Sequence, residues 1–341
     1  MRWSGTAAFV IAAALLIGAT PGTTQRSERA DRPTKIVVAA APLATFDHGD
    51  PTRRVFGMLE YRGGLVLTSA FREFGGISSI RVAADGAHFI AANDKGWWLR
   101  GRITYEGSRP TGIADAEMAP MLAADGRPIT AAWRWYDSEA IAEDGGTLYV
   151  SLERVHRILR FDYGRDGLLA RGQPIDVPKA MRKLRSNKGV EALVAVPRGR
   201  PLGGALIAIS ERGYESRDNH LAFLIGGPRP GQFAIRRKND FDVSDAALLP
   251  GGDLLLLERR FGWTTGLFVR IRRISLKDLK PGAVLDGPAV FEADLGQQID
   301  NLEGLSVHRT SGGELVLTLI SDNNFSALQR TLLLQFTLAQ P

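Results

Sequence analysis

Five stretches of the chain place acidic residues at a recurring interval, and their chemistry is that of oxygen ligands. They are Ser78 to Asp94, Glu139 to Glu153, Glu191 to Glu211, Asp245 to Glu258 and Glu303 to Asp322. Each has a small or acidic opening, a Gly-containing turn, and an apolar run ending in a carboxylate. The second runs from Asp137-Ser138-Glu139-Ala140-Ile141 through Asp144-Gly145-Gly146 to Leu148-Tyr149-Val150-Ser151-Leu152-Glu153. A hairpin returns its last residue to the edge where its first began, so each opening acid should lie beside its terminal acid. Repeated around a closed fold, the pattern gathers Asp94, Glu139, Glu153, Glu191, Glu211, Asp245, Glu258, Glu303 and Asp322 at one mouth. Carboxylates crowded in this way raise one another's pKa unless something positive sits among them.

Two kinds of positive charge suit such a mouth. A hard cation such as Ca²⁺ takes about six to eight oxygen ligands from carboxylates, amides, carbonyls and water. Asp94, Glu139, Glu191, Glu303 and Asp322 are the first candidates to hold it, with Glu153, Glu211, Asp245, Glu258 and Asn323 behind them. The other source is the basic residues that follow the terminal acids: Lys95, Arg154, Arg212, Arg259 and Arg260. A rim of salt bridges that fixes blade packing and binds nothing is the alternative to a metal site. The candidates for catalysis are Glu191, Lys188, Arg212, and His220 in the polar loop Arg217-Asp218-Asn219-His220. A nucleophile elbow, a P-loop and a dinucleotide fingerprint are all absent from the sequence.

The elements that must position these residues read as strands. Short apolar runs bounded by Gly, Asp, Asn and Pro dominate, as in Ala205-Leu206-Ile207-Ala208-Ile209-Ser210. The openings at 78, 139, 191, 245 and 303 recur at roughly 50 to 60 residues, a period suited to propeller blades of several strands. A sixth blade is assembled from a hairpin, Val55 to Tyr61 and Leu65 to Ala70 around Arg62-Gly63-Gly64. The run Leu332 to Leu338 then closes the ring on the N-terminal strand. The expectation is one all-β domain over 34–341, a six-bladed β-propeller of mostly four-stranded blades.

Ahead of it, residues 1–22 read as an export signal, with Arg2 as the charged region and Ala7 to Ala19 as the apolar one. Residues 23–33 read as a flexible leader. This predicts a periplasmic or secreted protein, without stable membrane insertion once the signal is removed. The chain has no cysteine, which excludes disulfides and thiolate chemistry. Its 43 basic and 37 acidic residues give a net charge of +6. Without a nucleic-acid-binding motif, this fits a small anionic or ester substrate better than nucleic acid. A monomer is expected. The aromatic cluster Trp133-Arg134-Trp135-Tyr136 reads as packing between blades.

Phe74-Gly75-Gly76-Ile77-Ser78-Ser79-Ile80, Asp137-Ser138-Glu139-Ala140-Ile141, Asn187-Lys188-Gly189-Val190-Glu191-Ala192-Leu193 and Asn301-Leu302-Glu303-Gly304-Leu305-Ser306 together resemble the phytase-like domain family. The resemblance runs from about residue 50 to 338. It implies an exported bacterial β-propeller with an acidic channel mouth and calcium-dependent activity on phosphate monoesters or other esters. Glu139, Glu191 and Glu303 match the family's opening motifs; Asp94, Glu153, Glu211 and Asp322 match its strand-terminal acids. The run of aspartates found in true β-propeller phytases is missing. The expected function is therefore that of a metal-dependent ester hydrolase, with a non-catalytic binding propeller as the alternative.

Overall fold

The protein is described by a computed structural model covering residues 32–131, 137–185, 188–213 and 218–339. The export signal, nearly all of the leader, the Trp133 to Tyr136 cluster, Asn187 and Arg217 lie outside the described residues. Residues 31–341 form one compact unit. Among the described residues, no helix is long and apolar enough to cross a membrane.

The strands form five sheets, each a propeller blade. From the channel outward, blade 1 contains Ile77–Val82, His88–Asn93, Trp97–Glu106 and Arg109–Pro120, while blade 2 contains Ser138–Asp144, Thr147–Leu152, Arg157–Phe161 and Arg171–Pro174. Blade 3 contains Val190–Ala195, Ala205–Ser210, Asn219–Gly226 and Gly231–Arg236; blade 4 contains Asp242–Leu248, Leu254–Gly262, Gly266–Ile274 and Ala289–Asp294. Blade 5 has Leu302–Arg309, Leu315–Ser321 and Thr331–Leu338, followed by Leu59–Thr68 and Ala39–Leu43. Two-residue strands extend blades 1, 2 and 3 at their outer edges.

The second strands are buried on both faces because each blade is packed between two others. That is why Leu254 to Leu257 and Ala205 to Ile209 are continuous apolar runs rather than alternating ones. The apolar cores lie between blades: Leu255, Leu257 and Ile271 of blade 4 meet Leu302, Leu305 and Leu334 of blade 5. Ala192, Ile207 and Ile235 of blade 3 pack against Val243, Leu254 and Leu256 of blade 4.

The expected six blades are corrected to five. Leu59–Thr68 runs as a single strand through Gly63-Gly64 and pairs with Thr331–Leu338 on one side and Ala39–Leu43 on the other. The glycines provide close approach instead of a turn: a Cβ on Gly64 would lie 2.7 Å from Leu334 and 2.8 Å from the Tyr61 hydroxyl. The presumed sixth blade is thus the outer half of blade 5. Residues 331–338 close the ring against 59–68, not against the strand that begins near residue 35.

Candidate functional site at the acidic channel mouth

Every inner strand has a register shift near its start, placing an extra residue opposite its neighbour. The shifts fall between Ile77 and Ser79, Ser138 and Ile141, Val190 and Ala192, Val243 and Asp245, and Leu302 and Gly304. Ser78, Glu139, Glu191, Ser244 and Glu303 lie within these bulges, which re-aim side chains at the channel edge. The residues paired with the position just before each bulge are Asn93, Leu152, Ser210, Glu258 and Ser321. One residue further on are Asp94, Glu153, Glu211, Arg259 and Asp322. Blades 1, 2, 3 and 5 therefore contribute a terminal acid, and blade 4 contributes Arg259 in its place.

Eight carboxylates collect here: Asp94, Asp137, Glu139, Glu153, Glu191, Glu211, Glu303 and Asp322, each electrostatically coupled to others of the group. Arg259 is hemmed in by Glu303, Glu191, Glu211 and Glu139, which raise its pKa against the opposing effect of burial. Its side chain still keeps 36% exposure, because the mouth is open above it. It lies 3.0 Å from Glu303 Oε1, which also accepts a 2.9 Å hydrogen bond from Asn301 Nδ2. Lys188 Nζ holds both oxygens of Glu211 at 2.6 and 2.7 Å. Arg154 pairs with Asp137, and Lys95 lies 3.0 Å over the Phe325 ring.

These cations do not neutralise the mouth. Burial first, and then Glu303 and Asp137, raise Glu139 well above the usual carboxylate range. Burial together with Glu139 and Glu211 does the same to Glu191. Burial pushes Asp94 up to about 7 against the pull of Lys95, and burial with Glu303 pushes Asp322 up to about 8. Glu153 is raised by burial, moderated by the Gly189 N–H that donates to its Oε1 at 3.0 Å. Gly189 permits that approach: a Cβ there would lie 2.6 Å from Glu153 Cγ. One oxygen from each of Asp137, Glu139 and Glu153 lies within 4.8 Å of the others, and the same holds for Glu153, Glu191 and Glu211.

Five of the expected site residues, Glu258, His220, Asp245, Asn323 and Arg212, are engaged otherwise. Glu258 is one residue short of the mouth, and in a strand that single step turns the side chain to the opposite face. It is fully buried, receiving Arg270 Nε at 2.8 Å and Arg272 Nε and Nη2 at 2.8 and 2.6 Å. His220 does not overhang the mouth; it is buried beside this cluster, its Nδ1 2.6 Å from the Glu211 carbonyl and its Nε2 3.7 Å from Glu258. Asp245 lies deeper in the channel, one residue past the bulge. There it binds Arg81 at 2.8 and 3.0 Å and accepts the Leu305 N–H at 2.8 Å. Asn323 Oδ1 accepts backbone N–H groups of Gly76 and Phe325 at 3.0 and 3.2 Å, a turn-forming role.

Arg212 is committed to Asp242, to which it donates at 3.1 and 2.6 Å, although Glu211 also acts on its charge. Asp137 and Ser244 are not among the candidates drawn from the repeat, and Arg259 is among them only as a counter-charge. The signal for Arg259 was present: it follows the acid that ends the blade 4 run, and only the bulge shows that it, not Glu258, takes the terminal position.

Residues 72–325 match the family described as "Phytase-like: Esterase-like activity of phytase". No curated protein matches the chain. Among solved structures, the β-propeller domain of Myceliophteria thermophila Cps50 (Swd1) is similar at 14% identity and a TM-score of 0.35, covering 74% of this chain and 67% of that one. YCF48 bound to D1 peptide is similar at 11% identity and 0.35, over 78% and 66%. A nidogen/laminin complex chain is similar at 12% and 0.35, over 83% and 88%. These structural likenesses are too distant to carry an argument, and the five blades rest on the strand pairing itself.

Proposed function

The chain belongs to the phytase-like family, and from that premise we propose that its acidic mouth holds a hard divalent cation of the calcium class and acts on ester-linked anions, phosphate monoesters foremost. The observation that carries this reading is the charge imbalance: eight carboxylates face Lys95, Arg154, Lys188 and Arg259. A bound cation offsets the burial and mutual repulsion that raise these carboxyls.

The donors present fit such an ion. The gathered acids offer only carboxylate oxygens, the preference of a hard cation. The buried Asp94 Oδ1 and Ser244 Oγ have no hydrogen-bond partner among the described residues. Glu153 would be the central ligand, with Asp137 and Glu139 on one side and Glu191 and Glu211 on the other. A calcium-class ion, when bound, polarises an ester oxygen and lowers the pKa of a coordinated water. Arg259, anchored by Glu303 and Asn301, is placed to direct its remaining N–H groups at a phosphoryl oxygen. Lys188 adds a second positive charge beside Glu211. Glu139, whose carboxyl burial and then Glu303 raise well above the usual range, gains most from a cation held beside it.

The test is calcium binding by calorimetry, followed by hydrolysis of generic phosphate and carboxylate esters with and without calcium. The expected result is calcium-dependent turnover that Glu139→Ala plus Glu191→Ala abolishes. Absence of turnover under both conditions removes the enzymatic reading and leaves a binding mouth. Absence of calcium binding at millimolar concentration removes the metal site as well.

A further inference from the structure

The strand that carries Arg259 continues past the mouth into a hairpin whose tip is aromatic. Along Leu254–Gly262 the side chains alternate. Glu258 faces Arg270 and Arg272, and Arg260 lies over Phe241 and Phe268. Leu257 faces the blade 5 core, and Arg259 reaches Glu303 and Asn301 of that blade. Phe261 is therefore on the Arg259 face, about 7 Å further along the strand. It is 63% exposed, and Trp263 beyond it is 95% exposed. The two rings meet edge to face with centroids 5.5 Å apart.

The surroundings extend this ledge. Exposed Leu295 abuts the hairpin at Gly266. The mouth thus has a charged floor and, above the seam between blades 4 and 5, an apolar rim. Two large rings that touch each other and otherwise face water form an exposed apolar patch of the kind that marks a binding surface. Their common strand face with Arg259 sets what the ligand must look like.

We infer that the mouth takes an anionic head joined to a flat apolar group, an aryl phosphate or similar aryl ester, with the head at Arg259 and the ring on the Phe261–Trp263 ledge. The inference rests on the anion-handling role given to the mouth above and adds the chemistry of the rest of the substrate. Stacking on an aromatic side chain is tolerant of ring identity, so the preference is for flatness and apolarity.

The experiment compares methyl phosphate with phenyl phosphate, titrated calorimetrically into the full chain with saturating calcium. Phenyl phosphate should bind about tenfold more tightly. That preference should collapse towards unity in Trp263→Ala and Phe261→Ala, whose folding is checked by melting temperature. Phenyl phosphate should also quench a tryptophan emission component that Trp263→Phe lacks. Equal binding of the two probes by the wild-type chain overturns the inference while leaving the mouth's role intact, as does a preference that survives in both variants. Failure of both probes to bind overturns it together with that role. A Trp263 emission shift on phosphatidylglycerol vesicles, without one on phenyl phosphate, overturns it in favour of a lipid surface.

Discussion

Glu258 and Arg259 are neighbours on one strand, yet they occupy opposite electrostatic environments. On one face, a single carboxylate is enclosed by two guanidiniums, and on the other a single guanidinium is enclosed by carboxylates. Burial alone would raise Glu258, but His220 beside it and the paired Arg272 and Arg270 hold its carboxyl below the usual range. At the mouth, Asp94, Glu139, Glu153, Glu191, Glu211, Glu303 and Asp322 are raised instead. In the first cluster Arg272 also reaches Asp286 and the Arg236 carbonyl of blade 3, so its charges are matched and it ties blade 4 to blade 3. The second is unbalanced, and that imbalance is what a ligand can use.

The largest effect that would break this contrast comes from the complete cluster. Glu258→Ala strands two buried guanidiniums and should cost about 3–5 kcal/mol in chemical denaturation. Glu139→Gln, by contrast, removes repulsion and should raise the stability of the metal-free protein. If the two variants cost the same, the contrast fails.

The next effect is on pH dependence. The folded state raises Asp94 to about 7 and Asp322 to about 8, so between the unfolded carboxylate range and these values it binds more protons than the unfolded chain. Stability from these groups is fully present below the unfolded values and is lost as pH rises through the folded ones. Without divalent ions, the melting temperature should fall between about pH 5 and pH 8. Asp322→Asn should flatten the curve, and calcium at pH 8 should restore the lost stability.

A smaller change should follow Arg259→Gln. It removes the central positive charge, so calcium affinity measured by calorimetry should increase by about tenfold or less. The smallest effect is expected for Lys188→Met, since a partly exposed ion pair contributes below about 1 kcal/mol. A larger loss would mean that Lys188 is a structural member of the cluster, like Arg272.

The sequence and the structure agree on the repeat and part company over register and closure. The acid-ended runs mark the second strand of each blade, and the openings mark the first, because buried strands and hairpin turns have strong local signatures. Blade number depends on pairing between residues far apart. Leu59–Thr68 reads locally as half of a hairpin, and only its partner at residues 331–338 reveals it as a strand of blade 5. Arg259 and Ser244 were obscured for a related reason: a bulge adds one residue, and one residue decides which face a side chain occupies. The positions of Asp94, Glu139, Glu153, Glu191, Glu211, Glu303 and Asp322 follow from the repeat itself.

The closure of blade 5 also bears on how the protein is made. Thr331–Leu338 lies between Leu315–Ser321 and Leu59–Thr68, so a strand translated early stays without this neighbour until nearly the whole described chain has emerged. Long-range strand pairing of this kind is slow, and a waiting edge invites pairing with other chains. Until that late strand is inserted the ring stays open, and Leu59–Thr68 keeps a strand edge available to other chains.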